Sequence, residues 1–432
     1  MKTNREIALF VLDALKNAGA EDAQCVISTG VADELNVDSG EFSLMRSLFD
    51  NKITMKAIKD KKKGVISINS FLEDAILNAA RQCVESAEAS VEDDAVCISE
   101  FTENRGFEAG ALTPDRDRFF DRLQEYLEDV KREYPKIILE QVVTDYSSVE
   151  TFFANTNGAE YSYRHGNYAL NTMFSAHDGE KSTSFNYCDV SFDDLDSKIL
   201  DLGMQRDLYK RSEEQLESAS FEGKFCGKAV FAPLCLEDFI SMAFDNFVSD
   251  MTMIDGTSPW RYSLGTKVAS EDLTVSYVPL DPRMVGSERY TGDGYISENY
   301  DVIRDGILNS FSLSEYAARK TGLQRAKNTS SCMAVKPGNK SLADIIKGID
   351  RGILVYRFSG GSPAVNGDFS GVAKNSFLIE NGRITKPVTE TMISGNLAAM
   401  LKHVVAISSE VVCDGSNALP WAAFDGITVS GK

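Results

Sequence analysis

Between Gly360 and Met400 the chain reads GGSPAVNGDFSGVAKNSFLIENGRITKPVTETMISGNLAAM, and this glycine-rich run constrains the fold more than any other stretch. Gly360, Gly361, Gly367 and Gly371 permit positive φ and let a second backbone approach closely. Asn381-Gly382, set between Ser376–Glu380 and Arg383–Thr385, is a strong hairpin signal. Few titratable groups interrupt the run, so it suits holding backbone better than acid–base chemistry. On its own chemistry it is a turn-rich part of a β-rich domain.

A chain of 432 residues has room for two or three domains and a substantial core. Acidic residues outnumber basic ones by 65 to 45, a formal charge of −20, which disfavours phosphate backbones and anionic lipid. Neither a direct nucleic-acid partner nor a membrane is expected. The one basic cluster, Lys56, Lys59, Lys61, Lys62 and Lys63, is broken by Asp60 and precedes Gly64, as in a solvated hairpin turn. Cys25, Cys83, Cys97, Cys188, Cys226, Cys235, Cys332 and Cys413 show neither paired zinc spacing nor a disulfide framework, and read as reduced, mostly buried thiols. Ile7–Leu12 is a short apolar run ended by Asp13; Ala18-Gly19-Ala20 imitates a cleavage site, but the run is too broken for a signal peptide. No stretch is long enough to span a membrane, and a cytoplasmic location is expected.

The periodicities predict an α+β fold: two N-terminal α-β-α units, a faint duplication by element order, then a larger mixed or antiparallel β-rich C-terminal domain with helices. The expected divisions are 1–110, 111–220 and 221–432. Thr3-Asn4-Arg5-Glu6 is a capping box opening a helix to Gly19. Strands are expected at Ala23–Ser28, Asp33–Asp38, Glu41–Phe49, Ile53–Ile58 and Val65–Asn69, and a second capping box, Ser70-Phe71-Leu72-Glu73, opens a helix to about Ala87. Glu88–Gly110 reads as acidic and irregular. Thr113-Pro114 starts the next helix, strands with turns at Asn157-Gly158 and Asp178-Gly179 run from Ile137 toward Cys188, and a mostly helical segment follows to about Glu217. In the last unit Ala229–Phe231 reads as a strand, and Leu234–Val248, Ser312–Lys320, Ser341–Asp350 and Ser394–His403 as helices.

Asn366-Gly367-Asp368-Phe369-Ser370, then Ile379-Glu380-Asn381-Gly382, Pro387-Val388, Glu390 and Ser394-Gly395-Asn396, follow one another in the order and spacing of a known C-terminal signature. By these residues the chain resembles the TldD/PmbA family. Ile303–Leu308, and Lys336-Pro337-Gly338 followed by Ser341–Gly352, resemble further family segments, so the likeness runs through most of residues 225–432 and is looser before them. Tyr290-Thr291-Gly292-Asp293-Gly294 and Asn328-Thr329-Ser330 match only in part. The family supplies the two subunits of a bacterial metalloprotease complex once described as a modulator of DNA gyrase.

In the metal-carrying subunit an H-E-x-x-x-H helix sets two imidazoles a turn apart, its Glu activates a zinc-bound water, and a later cysteine completes the site. The corresponding segment here, Leu234–Phe244, has no histidine, and His165, His177 and His403 are isolated in sequence. Cys413 stands where the family's metal-ligating cysteine would stand; without imidazole partners it reads as a packed thiol. The resemblance therefore implies the PmbA/TldE-like subunit class, with no catalytic residue and no metal in this chain, and zinc expected in a TldD-like partner. It implies a dimer, either with that partner or with itself, and proteolysis of unfolded or extended polypeptides, including peptide-antibiotic precursors and antitoxins.

The candidate peptide-binding or subunit-contact residues are Gly360, Gly361, Asn366, Gly367, Asp368, Phe369 and Ser370, with the Phe377–Ile384 hairpin, where a strand edge can hold an extended peptide by main-chain hydrogen bonds. Two other readings stay open: a homodimeric binding or regulatory protein without peptidase activity, and an independent hydrolase with an unrecognised site. Glu237, Asp238, Asp245 and Asp250 fall on several helix faces, as a solvated polar face would. Cys188 with His177, or Ser362 with His403, has the residue types of a nucleophile and base, but nothing in the sequence brings either pair together. Phe152, Phe153, Tyr161, Tyr163 and Tyr168 alternate as strand faces and read as core or cross-strand pairs.

Overall fold

Thr3 opens the first helix, α1 (Asn4–Asn17), with the expected capping box: its hydroxyl accepts from the Glu6 N–H, and the Glu6 carboxylate accepts from the Thr3 N–H at 2.7 Å. The protein is described here over residues 2–431 by a computed structural model. Two long strands follow, β1 (Asp22–Asp38) and β2 (Glu41–Lys59), then β3 (Lys62–Ile68) and α2 (Glu73–Ala89). The four short strands expected between Ala23 and Ile58 are thus two. β1 pairs with β2 on one side and a later strand, β5 (Ile137–Asn155), on the other along almost its whole length, and that continuous pairing carries it through Gly30 and the polar residues that suggested breaks. The Lys cluster does turn at Asp60 and Lys61, both at positive φ, but Lys56 lies apart from the turn and donates to the Cys97 carbonyl at 2.6 Å. The second capping box does not form: Leu72 is the N-cap of α2, and the Ser70 hydroxyl accepts from Leu72 N at 3.3 Å instead of from a helical N–H.

Inside the stretch expected to be irregular lies β4 (Arg105–Gly110), paired in parallel with residues Tyr161–Gly166 of a later strand and hidden in the sequence by its exposed, charged positions. Asp115 then caps α3 (Arg116–Glu133), and β5 (Ile137–Asn155) and β6 (Glu160–Asp178) form the predicted hairpin across Asn157-Gly158. With β7 (Lys181–Ser182) and β8 (Asn186–Phe192) on β6, these strands make one eight-stranded sheet in the order β3-β2-β1-β5-β6-β4. Residues 1–110 and 111–220 therefore share a sheet through the β1–β5 pairing. Phe153, Tyr161 and Tyr168 are buried in it, as the alternation predicted. The segment to Glu217 carries α4 (Gln205–Glu214) between two short 3₁₀ turns.

After β9 (Ala219–Ser220), β10 (Lys224–Phe231) leads into α5 (Pro233–Phe247) and α6 (Asp250–Ile254). Proline at the helix start, then Cys235, Leu236, Phe239, Ile240, Ala243, Phe244 and Phe247 buried at helical spacing, explain why α5 forms and which face it hides. Next come β11 (Val275–Tyr277), β12 (Tyr300–Arg304), β13 (Ile307–Leu308), α7 (Glu315–Thr321), β14 (Met333–Val335) and α8 (Leu342–Lys347). The glycine-rich part holds β15 (Arg351–Val355), β16 (Arg357–Gly360), β17 (Asp368–Lys374), β18 (Ser376–Glu380), β19 (Arg383–Thr389) and β20 (Met392–Asn396). It ends in α9 (Leu397–Lys402), β21 (Val404–Cys413) and β22 (Ala418–Ser430).

These strands form a fourteen-stranded mixed sheet in which β22 pairs with β10, β14, β20 and β21. The α+β class is as predicted. Asn381 and Gly382 both take positive φ at the β18–β19 turn, whereas Ser394–Asn396, expected to be helical, belongs to β20. Asn396 explains the change, since its side chain accepts from Ala399 N and starts α9 there. A core cluster of Leu123, Tyr209, Val230, Leu354 and Phe377 joins the two sheets. Among the described residues no helix is long and apolar enough to cross a membrane.

Candidate functional site

α5 begins beside the place where the two sheets meet. Its first turns present Glu237 toward Asp189 on β8 and toward Asp414, which lies in the turn between β21 and β22. That turn is fixed by its own hydrogen bonds: the Asp414 carboxylate accepts the N–H groups of Ser416 at 2.8 Å and Asn417 at 2.7 Å. It is also pinned to its surroundings, the Asp414 carbonyl accepting from Ser191 N and the Gly415 carbonyl from Val285 N, each at 2.7 Å. Gly415 has φ +90°, and a Cβ there would lie 2.0 Å from the Ser191 carbonyl oxygen, so only glycine lets turn and strand close.

The result is a seam of carboxylates around a cleft of about 190 Å³ that Asn171, Ser191, Leu234, Ser416 and Asn417 also line. Burial pushes Glu237 up to about 7, helped by the charges of Asp414, Asp238 and Asp189 and opposed by a hydrogen bond from Asn417. Asp189 is raised by burial and by Asp414, and Asp414 by burial against the N–H groups it accepts. Asp238, at the exposed rim, is raised by burial on its protein side, with Arg357 opposing. Such a seam holds a proton near neutral pH and offers acceptors to N–H or ammonium donors. The expectation of a solvated polar face is therefore corrected for Glu237, which turns into the seam. It is corrected also for Asp250, whose carboxylate accepts from the Ser314 N–H at 2.9 Å and hydroxyl at 2.6 Å.

Cys413 lies next to the seam, half-buried, its Sγ 3.7 Å from the Arg283 carbonyl and its thiol pushed up by burial. α5 brings it no imidazole. His165 stacks on Tyr163 at 4.7 Å and is lowered by burial and by Arg289; His177 sits 2.9 Å from Ser175 Oγ at the far end of β6; His403 ends α9. Among the described residues no three His, Cys, Asp or Glu side chains gather as a metal-binding set. By donor chemistry, then, the residues around Cys413 do not fit a catalytic zinc ion. The other pairs stay apart: sheet register sets Cys188 beside Thr172 and His177 beside Ser182, while Ser362 is in an exposed loop.

The candidate peptide site is built differently. Asn366, Gly367 and Asp368 form a closed turn: the Asn396 amide donates to the Asn366 carbonyl and to Asp368 Oδ1, both at 2.9 Å, while Asn366 Nδ2 donates to Asp368 Oδ2 at 2.8 Å. These bonds from Asn396 and then Asn366 hold the Asp368 carboxyl below its ordinary value. Gly367 has φ +89° and faces the Phe247 ring, which a Cβ would approach to 2.7 Å. Gly360 pairs with Gly371 beneath the Phe358 ring, and Phe369 is buried against Phe239 at 4.9 Å, so both serve packing. Gly361 and Ser370 are exposed. Among the described residues β16 pairs only with β17, which leaves its other edge without a strand, while Phe377 and Ile379 of the hairpin are core residues. Alongside β17 runs a polar groove of about 470 Å³ between Ser182–Ser184 and Val388–Thr389, where the buried amide nitrogen of Asn375 finds no hydrogen-bond partner among the described residues.

Sequence reasoning missed Asp189 and Asp414. Asp414-Gly415-Ser416 after a strand was a readable turn signal, while Asp189 alternates in β8 like any outward strand residue.

Residues 223–431 match the family described as PmbA/TldA metallopeptidase C-terminal domain. The chain is 31% identical over 152 residues to the metalloprotease PmbA of Escherichia coli O157:H7, a match covering 34% of each chain, so it spans about a third of that relative's length. With the metalloprotease PmbA homolog of Haemophilus influenzae it shares 22% identity over 433 residues, covering 94% of this chain and 91% of the relative. Among solved structures, TldE from Thermococcus kodakarensis superposes with a TM-score of 0.85 at 19% identity, covering 98% of this chain and 100% of that one. A candidate modulator of DNA gyrase from Bacteroides thetaiotaomicron superposes with a TM-score of 0.86 at 21% identity, over 100% of both chains.

Proposed function

Because this chain belongs to the PmbA/TldD family, we propose that it is the non-metal subunit of a metallopeptidase assembly, which holds extended polypeptide while a TldD-like partner carries the zinc. What carries the reading is the helix α5: at the Cys413–Asp414 turn it supplies a carboxyl that retains its proton near neutrality, and no imidazole. A supporting observation is the open edge of β16, where main-chain groups can pair with an extended chain, next to the groove under Asn375. In this reading the chain's own residues bind and orient; bond cleavage belongs to the partner's metal.

The test is proteolysis of an unfolded protein by the purified chain, with and without a zinc-bearing TldD-like subunit. Inert alone and active together is the expected result. Chelator-sensitive cleavage by the chain alone, free of contaminants, overturns the proposal.

A further inference from the structure

Where β2 and β3 come up against α7, two walls of opposite charge face each other across a cavity of about 80 Å³. One wall carries Lys56 and Lys63, the other Asp293 and Glu315. Lys56 Nζ donates to the Cys97 carbonyl at 2.6 Å, one partner for an ammonium with three N–H donors, and Lys63 Nζ lies over the Tyr316 ring, 5.5 Å from its centroid. Asp293 accepts from the Thr291 hydroxyl and from the Glu315 N–H at 3.0 Å, while Glu315 pairs with Arg319 at 2.8 Å. Among the described residues no carboxylate pairs with either lysine and no cation pairs with Asp293. Burial holds the Lys56 ammonium below its ordinary value, Lys63 adding to the shift and Cys97 and Asp293 opposing it. The walls are tied at one side, where Asp93 accepts from the Tyr316 hydroxyl and pairs with Lys320, each at 2.8 Å. Charges that would compensate one another thus stand apart across a gap.

We propose that this cavity binds a small α-amino acid as its zwitterion, glycine or alanine, with the carboxylate on Lys56 and Lys63 and the ammonium on Asp293 and Glu315. An anion alone would be repelled by the acidic wall and leave it uncompensated, and a cation alone would do the same to the lysines. A ligand that carries both charges on neighbouring groups serves both walls at once. Size sets the side chain: the cavity, about 80 Å³, is roughly half the ~150 Å³ that holds benzene, which suits glycine or alanine and excludes aromatic or long side chains. Lys63 and Tyr316 are exposed, which leaves the ligand a way in at their rim. Because one wall belongs to the N-terminal sheet and the other to the C-terminal unit, the bound amino acid strengthens the join between them. The site needs neither zinc nor an extended polypeptide and goes beyond the peptidase reading.

Calorimetric titration of the full chain with glycine or alanine at millimolar concentrations is expected to show a single site and to raise the unfolding temperature. Acetate and methylammonium, which each carry one of the two charges, should bind at least about 10-fold more weakly, the loss of a charge-assisted hydrogen bond. Tryptophan should not compete. Lys56→Met and Asp293→Asn should each weaken glycine binding at least about 10-fold with circular dichroism like that of the wild type. If either variant fails to fold, the comparison of ligands on the wild type decides. Neither heat nor a thermal shift with both amino acids would mean that water alone fills the cavity, and overturns the proposal. So does acetate or methylammonium binding as tightly as glycine, tryptophan competing as an equal, or a folded Lys56→Met or Asp293→Asn variant that binds glycine like the wild type.

Discussion

The carboxylate seam and the Asn366–Asp368 turn handle negative charge in opposite ways. In the turn, Asp368 is exposed and receives amide donors from Asn396 and Asn366, which favour its ionised form. In the seam, Asp189, Glu237 and Asp414 come from three separate elements: burial raises all three, only in part for Asp189 at the exposed rim, and charge repulsion from Asp414 adds to it for Glu237 and Asp189. One device settles its charge with amide donors; the other leaves Glu237 with mainly like-charged neighbours at the join between sheets. Unsettled charge costs stability and is kept where a ligand or partner can relieve it, which is why the seam is the stronger candidate for function.

The largest effect on this contrast should come from Gly415→Val, which forces a branched side chain onto a positive-φ position in contact with Ser191. A loss of about 3 kcal/mol or more, read from denaturant unfolding, is expected. A wild-type midpoint would mean that the seam is not tightly closed.

Glu237→Gln should act in the opposite direction. The folded value of about 7 lies above the ordinary one for a glutamate, so the folded state binds this proton more tightly than the unfolded chain does. The penalty is absent at acid pH and grows as pH rises toward and past 7. The variant should therefore match the wild type near pH 4 and exceed its stability by about 1–3 kcal/mol at pH 8. Equal stability at both pH values would show that the seam is hydrated.

Asn396→Ala removes the α9 cap and both donors to the turn, and should cost about 1–2 kcal/mol. The helical signal and the Gly367 geometry should weaken together; a neutral result would show the turn held by packing alone. The smallest change is expected from Asp368→Asn. Here the folded value is depressed, so the carboxylate stabilises above its unfolded pKa and that contribution is lost as pH falls. A slightly lower unfolding midpoint at pH 7, merging with the wild type in strong acid, is the expected signature.

How far each region was readable follows from sequence separation. The capping box at Thr3–Glu6 and the turns at Asn157-Gly158 and Asn381-Gly382 are legible because their partners lie within a few residues, whereas the Asn366–Asp368 turn showed its glycine but not Asn396, 30 residues on, which closes it. Glu237 meets Asp189 and Asp414 only through the tertiary fold, so helix periodicity could show its face but not what packs there. β1 and β2 were fragmented for a related reason: cross-strand pairing overrides local interruptions such as Gly30. Ser70–Glu73 had the letters of a capping box, but the helix starts after Leu72, where the Ser70 hydroxyl is already engaged with the Leu72 N–H.

The position of β22 bears on how the molecule is made. It pairs with β10, β14, β20 and β21, yet emerges from the ribosome after all of them, about 190 residues behind β10. At ordinary translation speeds the flank of β10 that β22 will occupy waits roughly 10–40 s. During that interval nascent chains on one messenger expose the same unfilled slot to each other, and a chaperone that shields it would raise yield without altering the finished protein.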